Sequence, residues 1–158
     1  MNPSKTSRLL TIVALVQGFY YAATGIWPLV SISSFQAVTG PKVDHWLVKA
    51  VAVLVLASGI VIMTAALRKR ISLEIMMLAV GEAFGLAAID FVYAMSDRIS
   101  SIYLLDAWLE VSLVALWILA WTRQARRERS PAVLTSSARL FQSGKRMPGG
   151  RKMDPVRR

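Results

Sequence analysis

The chain predicts an all-α membrane protein: a four-transmembrane-helix bundle followed by a disordered basic C-terminal tail. Three observations predict it. Of its 158 residues 55% are hydrophobic, above the roughly 45–50% apolar share of soluble domains. These residues are clustered: Ala50–Leu67 runs for eighteen residues without a charge, enough to span a hydrocarbon core about 30 Å thick. The basic residues are segregated as well. Residues 122–158 hold eleven of the nineteen Lys and Arg and two acids, Glu128 and Asp154. That stretch carries +9, while the other 121 residues are almost neutral.

The elements follow in order. Residues 1–8 form a short N-terminal segment with Lys5 and Arg8. The apolar runs place four spans at about 9–30, 46–67, 72–95 and 99–121, together one domain over 9–121. Lys5, Arg8, the Arg68-Lys69-Arg70 turn and the tail fall on one side of such a bundle. The opposite loops hold Lys42 and Arg98, with Lys49 at the edge of the second span. The positive-inside rule then places both termini in the cytoplasm. Lys5 and Arg8 ahead of Leu9–Val16 also fit a signal peptide. The polar face of the first span argues that this segment is retained.

A weak internal repeat divides the spans into two parallel hairpins. Gln17-Gly18-Phe19-Tyr20-Tyr21-Ala22-Ala23 aligns with Glu82-Ala83-Phe84-Gly85-Leu86-Ala87-Ala88. Asp44-His45-Trp46-Leu47 aligns with Asp106-Ala107-Trp108-Leu109. Two hairpins of one orientation are related by an axis along the membrane normal, and a site is expected between the halves. The repeat puts Asp44 and Asp106 near the outer interface, so that the fourth helix begins later than hydropathy alone indicates.

Five of the nine carboxylates lie inside expected spans: Glu74, Glu82, Asp90, Asp106 and Glu110. An acid at bilayer depth is costly and needs a cavity, a proton or a cationic partner. Gln17, Tyr21, Thr24 and Pro28 share one face of the first span at helical spacing, and Tyr20 borders it. Asp106 and Glu110 are one turn apart, with Trp117 below them. The expectation is an outward-opening acidic cavity lined by Gln17, Tyr21, Thr24, Lys49, Glu82, Asp90, Asp106 and Glu110. It would hold a cationic solute or exchange protons, because two adjacent carboxylates cannot both ionise cheaply. The structural alternative makes Lys49 a fixed ion-pair partner of Asp106 or Glu110 and leaves Glu82 and Glu110 as protonated, hydrogen-bonded acids. Asp90 then sits at the interface. Glu74 reads as interfacial, beside the Arg68–Arg70 turn.

Gly81-x-x-x-Gly85, continued by Ala88, lets another helix approach closely. Packing inside the bundle is the favoured reading, and a dimer face is the other. His45 reads as a solvated loop histidine, with pH sensing or external ligand contact as the functional alternative. Trp27, Trp46, Trp108 and Trp121 fall at the interfaces, where amphipathic rings are stable.

Helix 4 is expected to extend through Thr122–Arg129, with disorder beyond. The tail is expected to contact anionic lipid headgroups, at roughly 1 kcal/mol per basic residue near the surface. Nothing in it resembles a nucleic-acid platform, so nucleic acid is not an expected partner. With no cysteine and one histidine, disulfides, thiol chemistry and thiolate metal sites are excluded and an ordinary zinc or iron site is disfavoured. No hydrolase triad or phosphate-binding glycine loop occurs. No catalytic residue, metal ligand or cofactor is assigned, and an enzyme is the less favoured reading.

The stretch Ser34-Phe35-Gln36-Ala37-Val38-Thr39-Gly40-Pro41-Lys42-Val43-Asp44-His45-Trp46-Leu47-Val48 resembles small, uncharacterised bacterial membrane proteins with four helices. The general plan is similar to that of DoxX-like proteins. The resemblance implies a bacterial cytoplasmic (inner) membrane setting and transfers no activity. Two functions follow from the residues: a protein that binds or moves a cationic solute or protons, as a homo-oligomer, or an accessory subunit of a larger membrane complex.

Overall fold

The computed structural model describes the backbone of residues 6–144 and the side chains of residues 6–126. It contains α1 (Arg8–Val30), α2 (Ile32–Thr39), α3 (His45–Leu67), α4 (Leu73–Met95) and α5 (Tyr103–Gly144). Four stretches are long and apolar enough to cross a membrane: Arg8–Val30, His45–Leu67, Leu73–Met95 and Tyr103–Arg126. At 1.5 Å per residue each is about 35 Å long, so the chain is an all-α, multi-pass membrane protein. Large apolar side chains such as Phe19, Leu54, Phe84 and Val92 are exposed along these helices, as a lipid-facing surface requires.

Serine starts three of the helices. Ser7, Ser31 and Ser72 each turn a side-chain oxygen to a backbone N–H of the following turn, at Leu10, Ser34 and Ile75. A cap of this kind satisfies a donor that the helix leaves orphaned. Ser7→Ala should therefore lower the unfolding midpoint in detergent, by a stability loss of about 1 kcal/mol. Equal midpoints for the two proteins would show that the cap contributes nothing. α2, which hydropathy did not disclose, ends at Gly40, whose φ of 85° suits glycine. Trp27 packs edge-on against Phe35 and donates its indole N–H to Ser34, which folds α2 back onto the end of α1.

α1 is the central helix, and it meets its neighbours in two ways. Against α3 the backbones touch. A Cβ on Gly59 would lie 2.6 Å from the Ala22 nitrogen and 2.8 Å from the Gly18 oxygen. A Cβ on Gly25 would lie 2.7 Å from the Leu56 nitrogen. Against α4 and α5, α1 reaches across with long side chains. α4 and α5 make no approach comparable to that of α1 and α3. In the repeat alignment the positions of Gly18, Gly25 and Gly59 are taken by Ala83, Asp90 and Trp121. Two aromatic pairs of the alignment agree in exposure, Phe19 and Phe84 at 69% and 68% and Trp46 and Trp108 both at 71%, whereas His45 is exposed and its counterpart Ala107 is buried.

The bundle has two unlike ends. The proximal end carries the start of α1, the Arg68–Arg70 turn and Gln124. Its interior is apolar, built from Leu10, Val13, Ala14, Ile62, Ala66, Ile71, Ala79 and Ala120. It is stapled by the Ser7 N–H donating to Gln124 Oε1 at 2.9 Å and the Thr6 hydroxyl donating to the Lys69 carbonyl at 2.6 Å. Lys69 adopts a left-handed φ of 51° in that turn. The distal end carries α2 and residues 96–102.

Residues 1–124 and 125–158 form separate units. α5 continues to Gly144, past the expected helical limit at Arg129. Residues 1–5 of the N-terminal segment and residues 145–158 of the tail lie outside the described residues.

Candidate intramembrane acid cluster

Polar side chains occupy the middle and distal levels of the bundle in layers. In the lowest layer Gln17 of α1 is fully buried. Its amide N–H donates to the Ala79 carbonyl of α4 at 2.9 Å, and its Oε1 accepts the indole N–H of Trp117 on α5. One side chain thereby ties three helices together. It also satisfies an indole N–H that hydrocarbon would leave unpaired and adds a second bond to a helix carbonyl. Glu82 of α4 lies at about this depth with Ser58 of α3 beside it, and its Oε2 is buried with no hydrogen-bond partner.

One turn toward the distal end, the Tyr21 hydroxyl donates to Glu110 Oε2 at 3.0 Å. Both side chains are buried, Glu110 with 1% of its surface exposed. Above them the Tyr20 hydroxyl donates to Asp106 Oδ1. Asp90 of α4 and Asp106 of α5 interact electrostatically. Asp90 is 6% exposed, and its Oδ2 has no donor. Acidic side chains gathered at this depth call for a proton or a cation among them. Tyr103 closes the top, within the field of Asp90 and Asp106. The ammonium of Lys42 lies 4.9 Å above the Tyr103 ring and donates to the Thr39 carbonyl at 2.8 Å. Partial burial pushes Lys42 below the usual lysine range.

The structure therefore brings together Gln17, Tyr21, Glu82, Asp90, Asp106 and Glu110 from three helices. It separates two others. Lys49 is exposed. It precedes Ala52, on the buried face of α3, by three residues and is turned roughly 60° off that face, so it neither lines the cluster nor neutralises an acid. Thr24 turns its hydroxyl back to the Tyr20 carbonyl of its own helix at 2.8 Å. Glu74 is exposed in the first turn of α4, where the helix dipole favours an acid. His45 is exposed and accepts at Nε2 from the Gln36 amide at 2.9 Å.

Tyr20, Trp117, Tyr103 and Lys42 belong to the arrangement but not to the set expected from sequence. Tyr20 is turned about 100° from Tyr21, and only its ring length carries the hydroxyl to Asp106. Trp117 shares the Asp106–Glu110 face, and that spacing was its available signal. No sequence pattern pairs Lys42 with Tyr103 across 61 residues.

Gly81 and Gly85 also differ from the favoured reading. A Cβ at either one meets nothing within 4 Å. The small-residue row faces away from the bundle because the buried row of α4 is Ala79, Ala83, Ala87, Asp90 and Ala94.

An apolar groove opens beside the cluster between α1 and α5. It encloses about 420 Å³ and is lined by Leu15, Val16, Phe19, Tyr20, Ala23, Leu109 and Leu113. Tyr20 is the wall between this groove and Asp106. Among the described residues no group of His, Cys, Asp and Glu is placed to hold a metal ion.

No protein-family model, curated protein or solved structure matches this chain.

Proposed function

We propose that the protein binds a cationic solute at the Asp90–Asp106–Glu110–Glu82 cluster, with protons occupying the carboxyls when the solute is absent. One observation carries this reading. Four acids are gathered at bilayer depth, two of them keep a buried oxygen without a donor, and the charged neighbours that act on Asp90 and Glu110 are themselves acids. Uncompensated carboxylates are too costly there to persist without a proton or a cation. The apolar proximal interior argues for a site reached from elsewhere and against an open path through the bundle.

Primary alkylammonium ions, methyl through octyl, should raise the unfolding midpoint of the detergent-solubilised protein, and uncharged amides of the same size should not. The Asp90→Asn/Asp106→Asn double variant should lose the response. A response retained in that variant, or none in the native protein, sinks the proposal.

The second reading, an accessory subunit of a larger membrane complex, draws on the uncovered Gly81–Gly85 face, where an added Cβ would meet nothing within 4 Å. Gly81→Leu should then shift the protein extracted in mild detergent to a smaller assembly in native mass spectrometry. An unchanged mass would remove that surface from consideration. A bacterial inner-membrane location with both termini cytoplasmic, a DoxX-like plan and lipid contacts of the basic tail complete the proposal. They are supported by the charge asymmetry and the local resemblance.

A further inference from the structure

We propose that the cation is amphiphilic and enters sideways from the lipid. Its apolar chain lies in the α1–α5 groove, and its head displaces the Tyr20 hydroxyl from Asp106. This inference rests on the cation-binding reading and names its ligand class.

Three observations converge on it. The proximal end is closed by apolar packing and by the Ser7–Gln124 and Thr6–Lys69 hydrogen bonds. At the distal end a positive charge, Lys42, stands over Tyr103 and repels a small cation arriving from water. The lateral face is where the bundle opens. The groove walls of Val16, Phe19, Ala23 and Leu109 are apolar and face the lipid, and 420 Å³ lies within the range of pockets that hold small organic ligands. Tyr20 lines the groove on one side and holds Asp106 on the other. A neutral lipid chain would fill the groove without answering the charge behind it. A chain ending in an ammonium group does both, and the donor-less Asp90 Oδ2, nine-tenths buried beside Asp106, supplies a second acceptor for its N–H groups.

The test is equilibrium binding of radiolabelled dodecylamine, butylamine and dodecanol to the full chain in phosphatidylcholine nanodiscs, with binding to empty discs subtracted. Dodecylamine should bind saturably and at least about tenfold tighter than butylamine, a difference of roughly 1.4 kcal/mol, and dodecanol should not saturate. Ala23→Phe, which fills the groove, should cost dodecylamine about tenfold or more and cost the shorter butylamine much less. Val16→Trp on the groove rim should do the same if Ala23→Phe lowers the unfolding midpoint. Equal affinities for the two amines, or no effect of either groove variant on dodecylamine, would overturn the lateral route while leaving the acid cluster as a cation site. Saturable dodecanol binding would assign the groove to an uncharged chain. If neither amine saturates, both readings fall.

Discussion

Gly59→Leu should prevent the bundle from forming. A Cβ at this position would sit 2.6 Å from a backbone nitrogen and 2.8 Å from a backbone oxygen of α1, and backbone cannot swing aside as a side chain can. Overpacking a core costs about 1–3 kcal/mol where side chains can adjust. Here α1 and α3 must separate along their whole contact, so a loss above about 3 kcal/mol is expected. In a protein of ordinary stability, roughly 5–15 kcal/mol, this should appear as a large fall in the unfolding midpoint or as failure to purify. Gly85→Ala is the matched control. The same residue type lies in another spanning helix, yet its Cβ enters open space. It should be neutral or slightly stabilising, since alanine is favoured over glycine within a helix by up to about 1 kcal/mol. If the two variants behave alike, the close approach of α1 and α3 is not what holds the fold.

Gln17→Leu should give the second largest loss, for a different reason. The substitution leaves the Trp117 indole N–H and the Ala79 carbonyl without their side-chain partners. A buried donor left unpaired costs about 1–3 kcal/mol, whereas single hydrogen bonds between membrane helices average about 0.6 kcal/mol. The loss of the three-helix clamp is expected nearer the upper figure. Replacing Trp117 by Phe in the same chain removes the orphaned indole. The Gln17→Leu/Trp117→Phe double variant should therefore be less destabilised than the sum of the single ones, which a double-mutant cycle in unfolding free energy measures. Strict additivity would mean that the contact does not couple α1 to α5.

The spans were legible because hydrocarbon leaves few alternatives: about twenty apolar residues must be a helix. The cluster was partly legible for a related reason. Asp106 and Glu110, or Gln17 and Tyr21, are four residues apart, and helical geometry alone puts each pair on one face. What spacing could not supply was side-chain length and helix separation. Tyr20 lies off the polar face, yet its ring spans the gap to Asp106. Lys49 has the right depth but the wrong rotation. Gly81 and Gly85 carry a packing motif, but the alanine row beside it faces inward in its place. α2 was missed because eight residues with two serines and a threonine give no clear hydrophobic period, and its position depends on Trp27 and Phe35 meeting across a turn. The repeat aligned the exposed Phe19 with Phe84 and Trp46 with Trp108 but concealed the consequence of its differences. Glycine in the first hairpin lets α1 and α3 meet at backbone distance, and the aligned positions of the second hairpin hold Ala83, Asp90 and Trp121.

The central claim is that protons occupy the buried carboxyls until a cation replaces them. Infrared difference spectroscopy of the carboxyl C=O stretch, recorded as dodecylamine is added to the protein in nanodiscs, tests it most directly. The account predicts that the protonated-carboxyl band falls and the carboxylate bands rise as the amine saturates, with the change strongly reduced in the Asp90→Asn/Asp106→Asn double variant. Saturable binding with no change in the carboxyl bands, or the same change in the double variant, would contradict it.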